Sequence, residues 1–235
     1  VSFDFTVPAH DITLHAVWLC THIATAEDLI DFSKVVTSGT NYSGTTVFLE
    51  SDIDFSGDLS KQFDPIGYFS KSFQGTFDGQ GHAISNLAIS SSKYAGLFGH
   101  SDGVTIRNTV LDSSCSVVSS YSGSSGAVGG MIGECYGSCV IENTVNMASI
   151  SFMGSINSSS VSDLYLGGVA GNLYASNNKE ITVKNCVNYG SVTHSGTVIG
   201  NAYIGGIAGV FEGSSLSKSY IQNCLNYGAI SHSGI

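Results

Sequence analysis

Glu50, Asp52, Asp54, Asp58 and Asp64 crowd one short stretch of this 235-residue chain. Alternation along "TTVFLESDIDFSG" puts Glu50, Asp52 and Asp54 on one side of a strand. Oxygen ligands for calcium, or the two carboxylates of a glycoside hydrolase, can be assembled that way. A solvated strand face beside a capping element accounts for the same residues without chemistry, and is the preferred reading. Asp78 precedes Gly79 and reads as a turn former. His194 and His232 close two near-copies, "VKNCVNYGSVTHSG" and "IQNCLNYGAISHSG", which start 38 residues apart. Two stacked imidazoles could approach one metal ion. Their Ser and Gly neighbours supply no third ligand, and duplication of the repeat explains the pair. HExxH, P-loop and Gly-x-Ser-x-Gly patterns are absent from the sequence, so no catalytic residue, metal ligand or cofactor is assigned.

Six cysteines need a compartment: Cys20, Cys115, Cys135, Cys139, Cys186 and Cys224. On a secreted chain an even count suggests bridges. Cys135 and Cys139 can close a small loop, and Cys186 and Cys224 fall on adjacent strands near the shortest Cα separation that a disulfide allows. Free thiols remain the alternative, and zinc a third, although CxxC knuckles are missing. Asn41-Tyr-Ser and Asn157-Ser-Ser are N-glycosylation sequons in turn-rich stretches.

The elements that must position these residues come from repetition. Ala95-Gly-Leu-Phe-Gly99 recurs as Gly129-Gly-Met-Ile-Gly133, Gly167-Gly-Val-Ala-Gly171 and Gly205-Gly-Ile-Ala-Gly209, at steps of 34, 38 and 38 residues. Each copy precedes an Ile/Val-x-Asn-x-Val/Leu phrase whose asparagines are Asn108, Asn143, Asn185 and Asn223. A fixed period of this length marks a solenoid. Helical repeats need apolar residues at i, i+3, i+4 and i+7, whereas these phrases alternate every second residue and break at Gly and Asn-Tyr-Gly. Three short strands per repeat follow, stacked as an all-β, right-handed parallel β-helix of about five coils. Strict alternation places Ile181, Val183, Asn185 and Val187 on one face. Asn108, Asn143, Asn185 and Asn223 are therefore expected inside, as a ladder of amides bonded up and down the stack. Upstream, "TAEDLIDFSKVV" carries a capping-box variant, Thr25 with Asp28, and an apolar face of Leu29, Ile30, Phe32, Val35 and Val36. It predicts an α-helix that covers the first coil.

The run "FQGTFDGQGHAISNLAI", with "YAGLFG", "TIRNTV", "GGVAG" and "KNCVNYGSV", resembles the GLUG-motif repeats of large modular surface proteins of bacteria and some protists. The resemblance covers roughly residues 20–235 and implies a pectin-lyase-like right-handed β-helix in an adhesin-type architecture. "PAHDITLHAVW", residues 8–18, resembles the last strand of an internalin B-type repeat. Residues 1–18 then read as the end of a small β module, 19–62 as an N-terminal cap of a helix and first strands, and 63–235 as the β-helix proper.

Composition narrows the function. Only 11% of residues are charged, 29 are glycine and the net charge is −10. The neutral polar surface suits the cell exterior, and with no basic stripe nucleic acid is not expected as a partner. No apolar run is long enough to cross a bilayer, so no membrane insertion of this fragment is expected. The missing initiator methionine suggests an internal piece of something longer. A polysaccharide lyase needs calcium-holding carboxylates and a basic residue beside the uronate. The repeat strands carry almost none of these: Arg107 is the only arginine, Lys184 is matched by Gln222 in the next coil, and both read as solvated outward charges. The expected role is a non-catalytic, adhesin-like, extracellular cell-surface module that binds a glycan or protein ligand. Its loops at 119–126, 155–164, 173–180 and 211–219 would offer Tyr121, Tyr165 and Tyr174 as contact platforms. A structural unit of a surface fibre or coat is the alternative, and a polysaccharide lyase or hydrolase the second. The final coil has no matching cap, so end-to-end self-association is also expected.

Overall fold

The computed structural model describes residues 21–57, 62–90, 93–157, 162–176, 178–213 and 218–235. The 1–18 module, Cys20 and Asp58 lie outside the described residues. Within them the chain is a right-handed parallel β-helix with one helix at its N-terminal end. One turn runs through Ile181–Lys184, Val187–Asn188, Val192–His194, Thr197–Val198, Ala202–Gly205 and Ala208–Glu212 before Tyr220–Gln222 stacks on Ile181–Lys184. Each turn thus holds more and shorter segments than the three strands expected. From Thr46–Leu49 the chain returns to the same face at Thr76–Asp78, Val104–Arg107, Cys139–Glu142, Ile181–Lys184 and Tyr220–Gln222. Those returns make about five coils. The sheet runs unbroken past residue 62, because Thr46, Val47 and Phe48 pair in register with Thr76, Phe77 and Asp78.

Parallel stacking converts the repeat into columns. Val47, Phe77, Ile106, Ile141 and Val183 lie one above another and are fully buried. Each such side chain contributes about 1.5–3 kcal/mol by leaving water. The helix α1, Ala26–Ser38, stops this column at one end. Its capping box forms as expected: the Asp28 amide donates to Thr25 Oγ1 at 3.1 Å, and the Thr25 amide donates to Asp28 Oδ2 at 3.0 Å. Leu29, Ile30, Phe32 and Val36 are buried. Phe32 meets Tyr42 and Phe73 edge-on at 5.1 and 5.4 Å and lies 6.2 Å from Phe77. It is the plug over the first coil.

The asparagine phrase departs from strict alternation. Asn108, Asn143, Asn185 and Asn223 adopt left-handed φ values of 51°, 53°, 53° and 53°. Asn tolerates that region better than other non-glycine residues. One such residue bends the chain and inverts its phase. Ile181 and Val183 point inward before the corner, and Cys186 and Asn188 point inward after it. The expected ladder does form, with Asn143 Nδ2 donating to Asn108 Oδ1 at 3.2 Å, Asn185 Nδ2 to Asn143 Oδ1 at 3.0 Å and Asn223 Nδ2 to Asn185 Oδ1 at 3.4 Å. It stands on the outer corner rather than in the core: Asn108 is half-buried and the other three are exposed. Asp78 heads it by accepting from Asn108 Nδ2 at 2.9 Å.

The buried ladder is a different one, made by the asparagine of Asn-Tyr-Gly and its equivalents. Asn146 Nδ2 donates to Asn188 Oδ1, and Asn188 Nδ2 to Asn226 Oδ1, each at 2.7 Å. Asn146 and Asn188 are fully buried. This stack explains the second glycine of the Gly-Gly pairs, since a Cβ on Gly168 would sit 2.3 Å from Asn188 Cγ.

Candidate functional site

Glu50, Asp52 and Asp54 of the acidic stretch are committed to other partners. Asp52 accepts from the Ala83 amide at 3.0 Å and meets His82 at 3.2 Å, while Asp54 accepts from the Ser56 amide at 2.9 Å and from Asn86 Nδ2 at 2.7 Å. Those hydrogen bonds, from Ala83 and from Asn86 foremost, hold both carboxyls below their ordinary range. Glu50 contacts His22 instead. No group of three or more His, Cys, Asp or Glu side chains suited to a metal occurs among the described residues. Arg107 and Lys184 do face outward, but as members of a column of alternating sign: Arg107 Nε lies 2.8 Å from Asp78 Oδ2 and Lys184 Nζ lies 2.7 Å from Glu142 Oε2. His194 and His232 stack at 4.8 Å, with Nδ1 to Nδ1 at 2.7 Å.

Among the described residues no cysteine carries a bridge. Cys115, Cys135, Cys139, Cys186 and Cys224 are free thiols, and the first four are buried. The inversion of phase at the corner turns Cys186 and Cys224 inward, where each Sγ donates to the carbonyl two residues before it, at 3.2 and 3.3 Å. Burial pushes the Cys186 thiol up to about 11. The contact with Cys135, then burial, raises that of Cys139. These thiols serve as small core residues. The sequon asparagines Asn41 and Asn157 are both exposed.

Of the three platform tyrosines, Tyr121 rests half-buried against the core cluster. The loops around it are partly ordered, because Ser122–Gly123, Ser155–Ile156 and Thr197–Val198 pair as a small parallel sheet. Tyr165 and Tyr174 belong to strands, Leu164–Gly167 and Ala170–Tyr174. Their positions there bring them together across the Gly-Gly-x-x-Gly bend. That bend needs glycine because a Cβ on Gly171 would lie 2.5 Å from both the Val128 amide nitrogen and the Gly133 oxygen.

On one side of the bend Tyr94, Ala127, Tyr165 and Tyr203 are in register, and on the other Tyr136, Tyr174 and Glu212. Between them runs the column His100, Glu134, Asn172 and Val210. Tyr165 stacks on Tyr203 at 5.5 Å, and Tyr136 meets Tyr174 at a tilt of 31° with centroids 4.6 Å apart. The result is a trough of about 550 Å³ with two tyrosine walls and a Glu134–Asn172 floor. It crosses four coils, roughly 14 Å at about 4.8 Å per coil, parallel to the solenoid axis. Strand period and the bend together create it: Tyr94, Tyr165 and Tyr203 recur on one side, with Ala127 between the first two, and Tyr136 and Tyr174 on the other.

The trough's polar groups are poised for neutral hydrogen bonding. Asn172 Nδ2 donates to Glu134 Oε1 at 3.0 Å, and burial raises the Glu134 carboxyl above its usual range. His100 Nε2 approaches Glu134 Oε2 to 3.5 Å without hydrogen-bond geometry, and burial lowers the imidazole. Desolvation drives both toward their uncharged forms. Burial, then the neighbouring Asp163, pushes the Tyr165 phenol up to about 12. Tyr165 donates to Asp163 Oδ2 at 3.3 Å, while Asp163 Oδ1 accepts from the amide and side chain of Asn201, each at 3.1 Å. Glu212 is exposed at the far wall. Such a surface offers phenol, amide and carboxyl groups to a polyhydroxylated ligand, with aromatic edges between them.

Sequence reasoning reached Tyr165 and Tyr174 but missed Tyr94, Glu134, Tyr136, Asn172 and Tyr203. The signal was present, since Glu134 and Asn172, Tyr136 and Tyr174, and Tyr165 and Tyr203 are each 38 residues apart. No family model and no curated protein matches the chain. Its fold is similar to the crystal structure of a "putative immunoglobulin A1 protease" from Bacteroides ovatus, at 18% identity and a TM-score of 0.55, over 90% of this chain and 67% of that one.

Proposed function

We propose that this chain is a non-catalytic, adhesin-like binding segment of an extracellular surface protein, and that the tyrosine-walled trough holds a glycan. The observation that carries this reading is the alignment of two tyrosine columns over the Glu134–Asn172 floor, a concave strip of rigid aromatic and neutral hydrogen-bonding groups. The rigid coil adds the preorganisation that weakly binding sugars require. The resemblance to GLUG-motif surface proteins supports the same setting. A glycan array with the soluble chain, followed by titration of a hit, tests it. Tyr174→Ala and Tyr165→Ala should each weaken binding about tenfold. Unchanged affinity in the double variant overturns the assignment to the trough.

One feature favours a polysaccharide hydrolase as second reading: a buried carboxyl, Glu134, shares the trough with Asp163 and Glu212. A carboxyl that burial raises above its usual range, sharing a site with other carboxyl groups, is a pairing that glycosidic cleavage uses. Release of reducing ends from an array hit by the wild type, abolished in Glu134→Gln, would establish it.

A further inference from the structure

The trough does not end at Tyr94. Lys93 and Tyr94 also line a second depression, of about 570 Å³, whose other wall includes Asp64, Tyr68 and Phe69. Phe69 is 72% exposed, yet its backbone is firmly held. The Tyr68 amide donates to the Lys71 carbonyl at 3.0 Å and the Lys71 amide to the Tyr68 carbonyl at 2.8 Å, so Phe69 sits at the tip of a tight turn. Lys71 Nζ ties that turn to the end of α1 by donating to the Ser38 carbonyl at 3.1 Å. The ring leans on His100 at 5.3 Å, and His100 in turn lies 5.5 Å from Tyr94. Because His100 is the first member of the column that continues as Glu134 and Asn172, the floor of the trough extends beneath Phe69.

Resting on the reading above, we infer that the two depressions form one binding groove for an extended glycan chain lying parallel to the solenoid axis, with Phe69 as a second, remote platform. Ile66 pairs with Phe98, one coil before the rest of the trough. The groove therefore crosses five rungs, a span of roughly 19 Å from four inter-strand steps of about 4.8 Å, enough for roughly four pyranose units. The contact of Phe69 with His100 leaves most of this large apolar ring in water, and the C–H face of a sugar laid on it removes that surface from solvent. Charge selects the class of chain. Among the described lining residues, Asp64, Asp163 and Glu212 stand along the groove against a single cation, Lys93. Uronic or sulfated units would meet like charge. Neutral or N-acetylated hexose chains would not.

The test uses defined oligomers: cello-oligosaccharides, chito-oligosaccharides and oligogalacturonates of two to six units, titrated against the wild type, Phe69→Ala, Phe69→Tyr and Tyr174→Ala, with circular dichroism to confirm the fold. One neutral series should gain affinity up to about four units and then level off. Phe69→Ala should weaken the longer members about tenfold and the dimer by less than twofold, Phe69→Tyr should restore them, and Tyr174→Ala should weaken every length. If the dimer binds and depends on Tyr174, but Phe69→Ala changes no length, the extended groove is refuted while the trough stands. Binding of oligogalacturonates as tight as the neutral series refutes the charge argument. No binding by the wild type at any length overturns both the groove and the glycan reading beneath it.

Discussion

Two asparagine ladders in one molecule allow a direct test of what burial does to a hydrogen bond. Asn188 is fully buried and holds three partners: it donates to the Gly190 carbonyl at 2.9 Å and to Asn226 Oδ1 at 2.7 Å, and it accepts from Asn146 Nδ2 at 2.7 Å. Asn188→Ala leaves the Gly190 carbonyl and the Asn226 oxygen without this donor, while Asn146 keeps its bond to the Ala148 carbonyl at 3.1 Å. At about 1–3 kcal/mol for each buried group left unmet, and with one of the two partners more exposed, the loss should be about 2–4 kcal/mol. Asn185 makes the comparable exposed rung, between Asn143 and Asn223. Asn185→Gly removes its amide but keeps access to the left-handed φ of 53° that the corner needs, so the loss should stay below about 1 kcal/mol. Leu at that position would confound the test by adding backbone strain. For a chain of this size the buried variant should melt roughly 5–15 °C lower and the exposed one within about 4 °C of wild type. Thermal unfolding followed by far-ultraviolet circular dichroism measures both. A larger loss from Asn185→Gly than from Asn188→Ala would refute the reasoning, because it would mean that the outer corner, not the buried stack, sets the coil register.

Glu134 provides a pH test. Its carboxyl is raised above 4.5, chiefly by burial, so the fold prefers it protonated; that stability is present below the unfolded value and is lost as pH rises through the folded one. Glu134→Gln should therefore melt at the same temperature as wild type near pH 4 and higher near pH 8, and a variant no more stable at pH 8 would show that the carboxyl is not desolvated. At the C-terminal coil Ile221, Leu225 and Ile230 are 42%, 51% and 49% exposed. We predict end-to-end association of this chain through that face, read as a rise in sedimentation coefficient over a hundredfold concentration range and reduced by Leu225→Lys with Ile230→Lys; a constant monomer would contradict it.

The architecture was legible because a parallel β-helix writes its stacking into its period. The 38-residue step that aligns Asn185 with Asn223 also aligns Tyr165 with Tyr203 and His194 with His232. Column membership can therefore be counted off the letters. The helix start at Thr25 was equally local, since a capping box involves only residues three apart. The direction in which a column faces was legible before the asparagine corner, as for Val183 and Lys184, but not after it. Alternation predicts sides only while the backbone stays extended, and one left-handed residue at Asn108, Asn143, Asn185 or Asn223 resets the phase. That single reset sent the expected inner asparagines to the surface, turned Cys186 inward as a thiol and placed Asn188 in the core. The trough needed still more. Tyr136 and Tyr165 belong to different coils and different faces, and neither is marked as special by its neighbours in the chain. Sequence alone determined which residues lie above one another, because hydrogen bonding between parallel strands transmits the repeat unchanged. Only the tertiary structure decided which columns face each other across a bend, because that depends on backbone dihedrals at a few glycines and asparagines, to which the period is blind.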